Sequence, residues 1–264
     1  MYGVANVSVI PLRAEPSERA EMVSQLLFGE AYSVVETNDQ WVKIKTCDCD
    51  YEGWMAKKCH HLLPEASVSD YLSSQKYVVK DFLLMVRATD SPYPFPIFAG
   101  SSFPKPVNGI VSLGDLSFQV ELPEEQDIPD IKGMSPQQFA LMQCAMVYYN
   151  APYLWGGRSP AGIDCSGFVQ VVFKNIGIFL PRDASQQVNI GSNVDFITEA
   201  QIGDLAFFQN DAGYVCHVGI VCGHQQIIHA SGKVRIDTLD STGIFCHETQ
   251  QYTHFLRVIK RLIP

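Results

Sequence analysis

The chain has little positive charge and no long apolar run. Its 19 lysines and arginines are outnumbered by 28 aspartates and glutamates, which leaves a formal charge of −9 at pH 7. A surplus of negative charge argues against nucleic acid and anionic membrane surfaces as partners. No apolar stretch approaches the roughly 18 residues that a membrane-spanning helix needs. The 47% of hydrophobic residues instead indicates a folded globular chain that buries a core.

A secretion signal and a regular cysteine spacing are also absent. Residues 1–25 show no basic start followed by an apolar core, which is the pattern of a signal peptide. The eight cysteines follow no fixed spacing, so we expect unpaired thiols in a reducing compartment. We therefore expect a cytoplasmic protein, with secretion as the alternative if a leader has been removed.

One cysteine-rich stretch contains the residue types that bind zinc. Cys47 and Cys49 precede Cys59, His60 and His61. The usual spacing of a zinc site, two cysteines separated by two to four residues, does not occur there. We therefore expect no metal and assign these residues to the last strands of a small barrel.

The most informative segment is Asp164-Cys165-Ser166-Gly167-Phe168. Turn-forming residues precede it, and apolar residues at helical spacing follow it until Gly177, which predicts a helix that begins near Cys165. A thiol at a helix N-terminus lies among unpaired N–H groups and at the positive end of the helix dipole, which favour the thiolate. Because the thiolate is the nucleophilic form, the segment predicts a nucleophile at Cys165.

Two histidines lie on neighbouring apolar runs that predict a β-hairpin. His217 lies in the run that ends at Cys222, and His229 lies in the run that begins at Gln226. A three-residue turn would pair Cys222 with Gln226 and place both imidazoles on one face as diagonal neighbours. A two- or four-residue turn would place them on opposite faces. On the first pairing, His217 is the base that takes the thiol proton and His229 orients it.

The N-terminal half consists of short alternating apolar segments separated by turn residues, a pattern that predicts small β-barrels. Strands are expected at Val7–Val9, Met22–Val23, Ala31–Val35, Trp41–Ile44 and Gly53–Met55, then at Phe82–Arg87, Gly109–Val111 and Leu116–Leu122, with a loop at Ser91–Pro96. We expect one barrel over residues 1–64 and a second, divergent one over residues 65–130.

The second barrel is followed by an acidic linker and by a helix that opens the third domain. The linker comprises Glu124, Glu125, Asp127, Pro129 and Asp130. Ser135 and Pro136 have the residue types of a helix N-cap and of the first helical position. The third domain is therefore expected over residues 131–264.

A series of motifs runs through the C-terminal half. They are Pro152-Tyr153-x-Trp155-Gly156-Gly157, Asp164-Cys165-Ser166-Gly167-Phe168, Leu180-Pro181-Arg182, Gly203-Asp204-Leu205-x-Phe207-Phe208, His217-Val218-Gly219-Ile220 and Ile228-His229-Ala230-Ser231. In this order they resemble the catalytic core of the NlpC-type papain-like cysteine peptidases, bacterial enzymes that cut peptidoglycan peptides. The resemblance implies an α+β fold with a papain-like catalytic domain after the two barrels, and a catalytic set of Cys165, His217 and His229.

The resemblance also implies residues that contact the substrate. Tyr153 corresponds to the tyrosine that forms the oxyanion site with the backbone N–H of Cys165. Asp164 and Ser166 correspond to substrate contacts, although an aspartate at that position can equally be only a helix cap.

Further substrate-binding positions follow from the same motifs. Trp155 and Ser185 match pocket residues of the family. Arg182 has a guanidinium that can bind a substrate carboxylate in bidentate fashion, and a solvated surface position is the alternative.

The N-terminal half contains motifs that resemble a bacterial SH3 domain. They are Leu12–Ser17, Gly29-Glu30, Trp41–Ile44 and Tyr51–Met55. Within the peptidase family, chains with two such domains before the catalytic domain resemble the γ-D-glutamyl-L-diamino acid endopeptidases, also called dipeptidyl-peptidase VI. These act on released murein peptides with a free N-terminal L-Ala and release L-Ala-D-Glu. The resemblance implies that the first SH3 domain binds the substrate amine, through Glu15 and Tyr51, or that these two are an ordinary turn carboxylate and a barrel aromatic.

Other classes of protein stay open at this point. One is a secreted or wall-bound peptidoglycan hydrolase that uses the SH3 domains as wall-binding modules. A binding protein with an inactive peptidase domain and an enzyme that transfers acyl groups by the same thiol chemistry are two more. For the peptidase we expect a monomer, a small murein peptide as substrate and no cofactor.

Overall fold

The computed structural model describes residues 1–124 and 131–263, which fall into two compact units. Of these residues, 1–124 and 155–160 form the first unit, and 131–154 and 161–263 form the second. The predicted linker lies outside the described residues except for Glu124. Both N-terminal domains expected from the sequence fall within the first unit, and their boundaries at residues 64 and 130 stay predictions.

The first part of the first unit is a six-stranded antiparallel sheet. Its strands are β1 (Tyr2–Val4), β2 (Val9–Arg13), β3 (Met22–Leu27), β4 (Ala31–Thr37), β5 (Trp41–Thr46) and β6 (Glu52–Ala56), in the order β1-β4-β5-β6-β2-β3. Alternate residues such as Ile10, Leu12, Val42 and Ile44 are buried in one cluster, as the period of two in a half-buried strand requires. A short 3₁₀ helix, Lys57–Cys59, follows β6. The strand expected at Val7–Val9 begins only at Val9.

Residues 65–120, which form the remainder of the first unit before residue 124, contain a helix that the sequence pattern did not predict. The elements of this segment are α1 (Glu65–Ser73), β7 (Lys76–Val78), β8 (Leu83–Ala88), β9 (Pro94–Phe98), β10 (Ser102–Pro104), β11 (Ile110–Leu113) and β12 (Leu116–Val120). They form a β10-β7 pair and a four-stranded sheet in the order β11-β12-β8-β9. The loop expected at Ser91–Pro96 is wrong in part, because Pro94 and Pro96 lie in β9. That strand is at the edge of its sheet, where a residue without an N–H is tolerated.

Residues 155–160 belong to the first unit through a buried ion pair. Arg158 opens β13 (Arg158–Ser159) and is 2% exposed. Its guanidinium donates two hydrogen bonds to the Glu30 carboxylate, at 2.7 Å and 3.0 Å, and lies 3.6 Å from Asp48.

Gly156 has a positive φ of 76°, and a Cβ there would lie 2.3 Å from the carbonyl oxygen of Met22. Only glycine therefore fits at this position.

The second unit combines helices with a large antiparallel sheet. Its elements are α2 (Pro136–Val147), β14 (Gly162–Ile163), α3 (Cys165–Lys174), α4 (Ala184–Gln187), β15 (Ser192–Val194), a 3₁₀ helix (Ile197–Glu199), β16 (Leu205–Gln209), β17 (Val215–Gly223), β18 (Gln226–Ser231), β19 (Lys233–Leu239), β20 (Gly243–Cys246) and β21 (Gln251–Arg261). The sheet order is β15-β21-β16-β17-β18-β19-β20, and β20 also pairs with β21, which closes the sheet. The α+β fold class is confirmed.

The predicted start of α2 is confirmed in detail. The Ser135 hydroxyl accepts a hydrogen bond from the Gln138 N–H at 3.2 Å, and the Gln138 side chain accepts one from the Ser135 N–H at 2.9 Å. Pro136 takes the first helical position. This reciprocal capping box satisfies two N–H groups that a helix start otherwise leaves unpaired. Within the described ranges 1–124 and 131–263, no helix has the length and apolar character needed to cross a membrane.

The hairpin of β17 and β18 has the expected register but a different turn. Gly219 pairs with His229, and a bulge between Val221 and Gly223 shifts the register so that Gly223 pairs with Gln226. The pairing of Cys222 with Gln226 was therefore wrong. The turn is the two residues between Gly223 and Gln226, both with positive φ, as tight hairpin turns require. The bulge adds the residue that keeps both histidines on one face.

Candidate active site

Cys165 is the first residue of α3 and is 7% exposed. Asp164 caps the helix, because its Oδ1 accepts a hydrogen bond from the Gly167 N–H at 2.7 Å. Burial raises the pKa of the Cys165 thiol to about 12, and the charge of Asp164 raises it further, whereas N–H groups of Val218 and Ser166 lower it. The N–H groups therefore favour the thiolate as expected, but desolvation outweighs them.

His217 and His229 form a hydrogen-bonded chain that continues to a carboxylate. His217 Nε2 lies 2.8 Å from His229 Nδ1, and His229 Nε2 lies 3.0 Å from Asp237 Oδ2. Gly219 of β17 and Arg235 of β19 both lie opposite His229. His217 and Asp237 are each two residues from those partners, so the three side chains share one face of three adjacent strands.

Asp237 was not predicted as a site residue. Arg235 binds both of its oxygens, with Nε 2.6 Å from Oδ2 and Nη2 3.0 Å from Oδ1. Burial opposes ionisation of Asp237, but hydrogen bonds from His229 and Arg235 outweigh it and hold the pKa of the carboxyl below its usual value. A signal existed in the sequence, because a second tight turn at Gly232 would have placed Asp237 diagonal to His229.

A third histidine lies against the first. The His254 ring, on β21, stacks on the His217 ring at 4.1 Å with an interplanar angle of 26°. Burial lowers the pKa of His217 well below its usual value, and the neighbouring His254 and His229 lower it further. Burial likewise lowers the pKa of His254 to about 4. His217 and His254 are therefore neutral at pH 7, and His217 can accept a proton.

The three histidines are close enough to be considered as metal ligands. Over residues 1–124 and 131–263, His217, His229 and His254 form the group whose ligand atoms lie within 4.8 Å of one another. Imidazole lone pairs lie in the ring plane, so two nearly parallel stacked rings direct theirs along separate lines and do not converge on one ion. His229 Nδ1 is already at hydrogen-bond distance from His217. Among the residues that the structure describes, those of the cysteine-rich stretch that begins at Cys47 form no such group.

Tyr153 lies in the second unit and is half-buried. Its N–H donates to the carbonyl of Gly232 at 2.9 Å. Burial raises the pKa of its hydroxyl, and the nearby acidic groups Cys165 and Asp164 raise it further. The hydroxyl therefore stays protonated and can donate a hydrogen bond, and the role in the oxyanion site that the resemblance implies for Tyr153 stays a prediction.

Asp164, Ser166 and Arg182 form a buried polar cluster next to the nucleophile. The Arg182 guanidinium donates to both oxygens of Asp164, at 3.0 Å and 2.5 Å, and to the Ser166 hydroxyl at 2.9 Å. Arg182 is 2% exposed, so the solvated surface position considered for it was wrong. Because the Arg182 guanidinium is bound to the Asp164 carboxylate, removal of either side chain would leave the other as an uncompensated buried charge. The substrate-contact roles of all three stay predictions.

The remaining candidates are divided between the units. Ser185 is exposed on α4 in the second unit. Trp155 belongs to the first unit and is 60% exposed, and its indole N–H donates to Glu21 at 2.6 Å. Glu15 is exposed in the first unit, and Tyr51 in the same unit donates its backbone N–H to the Thr46 hydroxyl at 3.1 Å. The substrate-binding roles of these four stay predictions.

The state of the thiol can be tested through its reactivity. A Cys165 thiol with a pKa of about 12 carries a thiolate fraction that rises with pH throughout the neutral range. We expect the rate at which iodoacetamide alkylates Cys165 to rise by about tenfold per pH unit between about pH 6 and 10. The rate is measured on the peptide that contains Cys165, by mass spectrometry. In the urea-unfolded chain, the control, the same rate should level off above about pH 8.5. A rate independent of pH in the folded protein would indicate a preformed thiolate and contradict this assignment.

Comparison with known proteins gives the same picture. Residues 150–253 match the NlpC/P60 family, and residues 12–58 match the bacterial dipeptidyl-peptidase SH3 domain. A γ-D-glutamyl-L-lysine dipeptidyl-peptidase of Bacillus cereus is 29% identical over 254 residues, with 84% of this chain and 72% of the relative covered. The protein of the same name from Bacillus subtilis is 28% identical over 243 residues, with 83% and 76% covered.

A solved structure extends the likeness to the fold. An NlpC/P60 family protein from Bacillus cereus aligns over 100% of both chains with a TM-score of 0.79 at 21% identity. Residues 150–253 thus form an NlpC/P60 cysteine peptidase domain, and residues 12–58 form a bacterial dipeptidyl-peptidase SH3 domain.

Proposed function

We propose that this chain hydrolyses the bond between γ-D-Glu and the L-diamino acid of released murein peptides whose N-terminal L-Ala is free, and that it thereby recycles cell-wall peptides. The observation that carries the proposal is the pairing, within one unit, of a cysteine at a helix start with a buried histidine chain. This chain aligns with more than two thirds of the length of two relatives, and both are named γ-D-glutamyl-L-lysine dipeptidyl-peptidases. Their name supports this bond as the target.

The proposed reaction begins with proton transfer from the thiol. His217 Nε2 is at hydrogen-bond distance from His229, so Nδ1 is the ring nitrogen left to accept the proton. Because the thiol of Cys165 has a raised pKa and His217 a lowered one, the two are neutral in the resting enzyme. The proton therefore moves as the sulfur attacks the γ-carbonyl carbon.

The intermediate that follows is a tetrahedral oxyanion. The Tyr153 hydroxyl and the N–H groups at the start of α3 are the donors available beside Cys165, since the first N–H groups of a helix have no partner within it. The His217 imidazolium then gives its proton to the departing α-amine of the diamino acid. A thioester to the γ-carboxyl of D-Glu remains, and water activated by neutral His217 hydrolyses it to release L-Ala-D-Glu and restore the thiol.

The proposal is tested by product analysis on defined tripeptides. The intact protein is incubated with L-Ala-γ-D-Glu-L-Lys and with its meso-diaminopimelate analogue, and the products are identified by mass. We expect L-Ala-D-Glu and the free diamino acid from at least one of the two, because both contain the bond that the thiol attacks. The matched control is the tripeptide with γ-L-Glu, which has the same mass and charge. Cleavage elsewhere, or failure to cleave either tripeptide, would contradict the proposal.

A further inference from the structure

We propose that Asp237 is a positioning residue of the peptidase, which through His229 sets the proton on each of the two imidazoles and leaves Nδ1 of His217 without a hydrogen and able to accept one. This inference rests on the proposed function for its catalytic consequence. The placement of the protons is a property of the folded chain and can be observed without any substrate.

The argument begins at the carboxylate, which has only acceptors. Because Asp237 Oδ2 lies 3.0 Å from His229 Nε2, that nitrogen must carry a hydrogen. A neutral His229 then has a bare Nδ1, which lies 2.8 Å from His217 Nε2 and accepts a hydrogen from it. In a neutral His217 the hydrogen on Nε2 leaves Nδ1 bare. Each step follows from the one before it, so the ionised carboxylate fixes both tautomers.

Arg235 makes the carboxylate a fixed starting point. Its Nε and Nη2 lie 2.6 Å and 3.0 Å from the two oxygens of Asp237, so both oxygens face donors. A protonated Asp237 would have to direct its own hydrogen at Arg235 or His229. The side chain is 6% exposed, so water does not easily replace these partners. The carboxylate is therefore held ionised and in one orientation.

The sheet register explains why this chain of contacts is precise. His229 lies on β18 between β17 and β19, with Gly219 and Arg235 as its direct partners. His217 and Asp237 are its diagonal neighbours on either side, and Val221 and Ile227, which belong to a fully apolar buried cluster, are the next paired positions along this face. The three polar side chains therefore occupy fixed sites on rigid strands, where a positioning role is effective.

The first test is Asp237→Asn, which keeps the shape but replaces one acceptor by a donor. If the amide NH₂ takes the Oδ2 position, it faces His229 Nε2 and forces the opposite tautomer on both histidines. If it takes the Oδ1 position, it faces Nη2 of Arg235. We expect kcat to fall by roughly 10- to 100-fold with little change in KM, which is less than the ~10⁴-fold typical when the residue directly behind a catalytic histidine is changed in the same way.

The matched control is Asp240→Asn. Asp240 is also a hydrogen-bonded carboxylate, which accepts from the N–H of Thr242 and the hydroxyl of Tyr252, and it contacts neither catalytic histidine. This variant should retain the kcat of the original chain. Equal kcat values for the original chain and a folded Asp237→Asn variant would overturn the proposal, and so would an equal loss in both variants, because it would indicate a merely structural role.

A double-mutant cycle separates action through His229 from direct action. If Asp237 works only through His229, then Asp237→Asn should cause no further loss of kcat once His229→Ala has removed the intermediary. Non-additivity of this kind is the signature of residues that act as one unit. Full additivity of the two losses would overturn the proposal.

The third test needs neither activity nor a variant. The tautomers of His217 and His229 are read in the intact chain at pH 7 from long-range ¹H–¹⁵N NMR correlations of the imidazole rings. We expect a hydrogen on Nε2 and a bare Nδ1 in both rings. A hydrogen on Nδ1 of His229 would overturn the proposal even if Asp237→Asn failed to fold. If instead no tripeptide is cleaved but the tautomers are as expected, the proposed function fails and the positioning of the protons stands.

Discussion

Replacement of Cys165 by alanine is expected to reduce kcat/KM for the free tripeptide by about 10⁴-fold or more while the chain still folds. Cys165 is the nucleophile of the proposed reaction, and loss of the nucleophile in a triad costs factors of this size. Cys165→Ser should lose nearly as much, because a serine hydroxyl is far harder to deprotonate than a thiol and His217 is a weak base. Activity is measured by release of L-Ala-D-Glu, and folding by circular dichroism and thermal unfolding.

Cys222→Ala is the matched control for this loss. Cys222 is a partly buried thiol of the same unit whose pKa is also raised by burial, but it lies at the hairpin bulge. Its removal should leave kcat/KM within about twofold of the original value, since no step of the reaction uses it. Residual activity above a few per cent in Cys165→Ala would exclude a mechanism based on this cysteine.

Acetylation of the substrate's amino terminus is expected to reduce kcat/KM by roughly 30-fold to several thousandfold. The proposed substrate has a free N-terminal L-Ala, whose ammonium would be recognised by a partner that loses its water when the substrate binds. Loss of one partner of such a charge-assisted pair costs about 2–5 kcal/mol. The measurement compares L-Ala-γ-D-Glu-L-Lys with its N-acetyl derivative under identical conditions.

An analogue that begins with a propionyl group in place of L-Ala separates charge from bulk. It removes the ammonium without adding atoms, so recognition of the charge predicts a loss similar to that of the acetylated peptide. Glu15→Gln tests whether this glutamate is the partner, in which case it raises KM for the free tripeptide. Equal cleavage of free and acetylated peptides would show that the enzyme does not require a free amine, and would favour hydrolysis of intact wall peptides.

The starts of α2 and α3 and the register of the β17–β18 hairpin could be predicted from the sequence, and the helix starts were predictable because local chemistry determines them. Ser135 with Pro136, and Asp164 before the apolar run of α3, are capping patterns that act over a few residues. The register of β17 and β18 was predicted for a different reason, since only one pairing puts both polar imidazoles together within an apolar strand pair. The turn itself was wrong, because a bulge at Cys222 and a two-residue turn give the same register as a longer turn.

The carboxylate behind the histidines and the state of the thiol could not be obtained in the same way. Asp237 lies on β19, the neighbour of β18, and the apolar pattern did not predict this strand. The pKa of Cys165 depends on how deeply the sulfur is buried, which is set by packing across the second unit and not by its place in the helix. The same holds for Arg182, where sequence gave no indication that Asp164 would occupy its fork. Pro94 and Pro96 indicated a loop because the edge position of β9 is a property of the assembled sheet.

The contribution of residues 155–160 to the first unit bears on how such a protein can be cut or recombined. A crossover anywhere between residues 124 and 131 would separate Glu30 from Arg158, which bind each other in a buried ion pair. Removal of one partner of such a pair costs about 3–5 kcal/mol, a large share of the stability of a small domain. A foreign N-terminal half would therefore be accepted only if it supplied a carboxylate at the position of Glu30. We therefore expect chimaeras joined between residues 124 and 131 to fold only when the Glu30–Arg158 pair is retained across the junction.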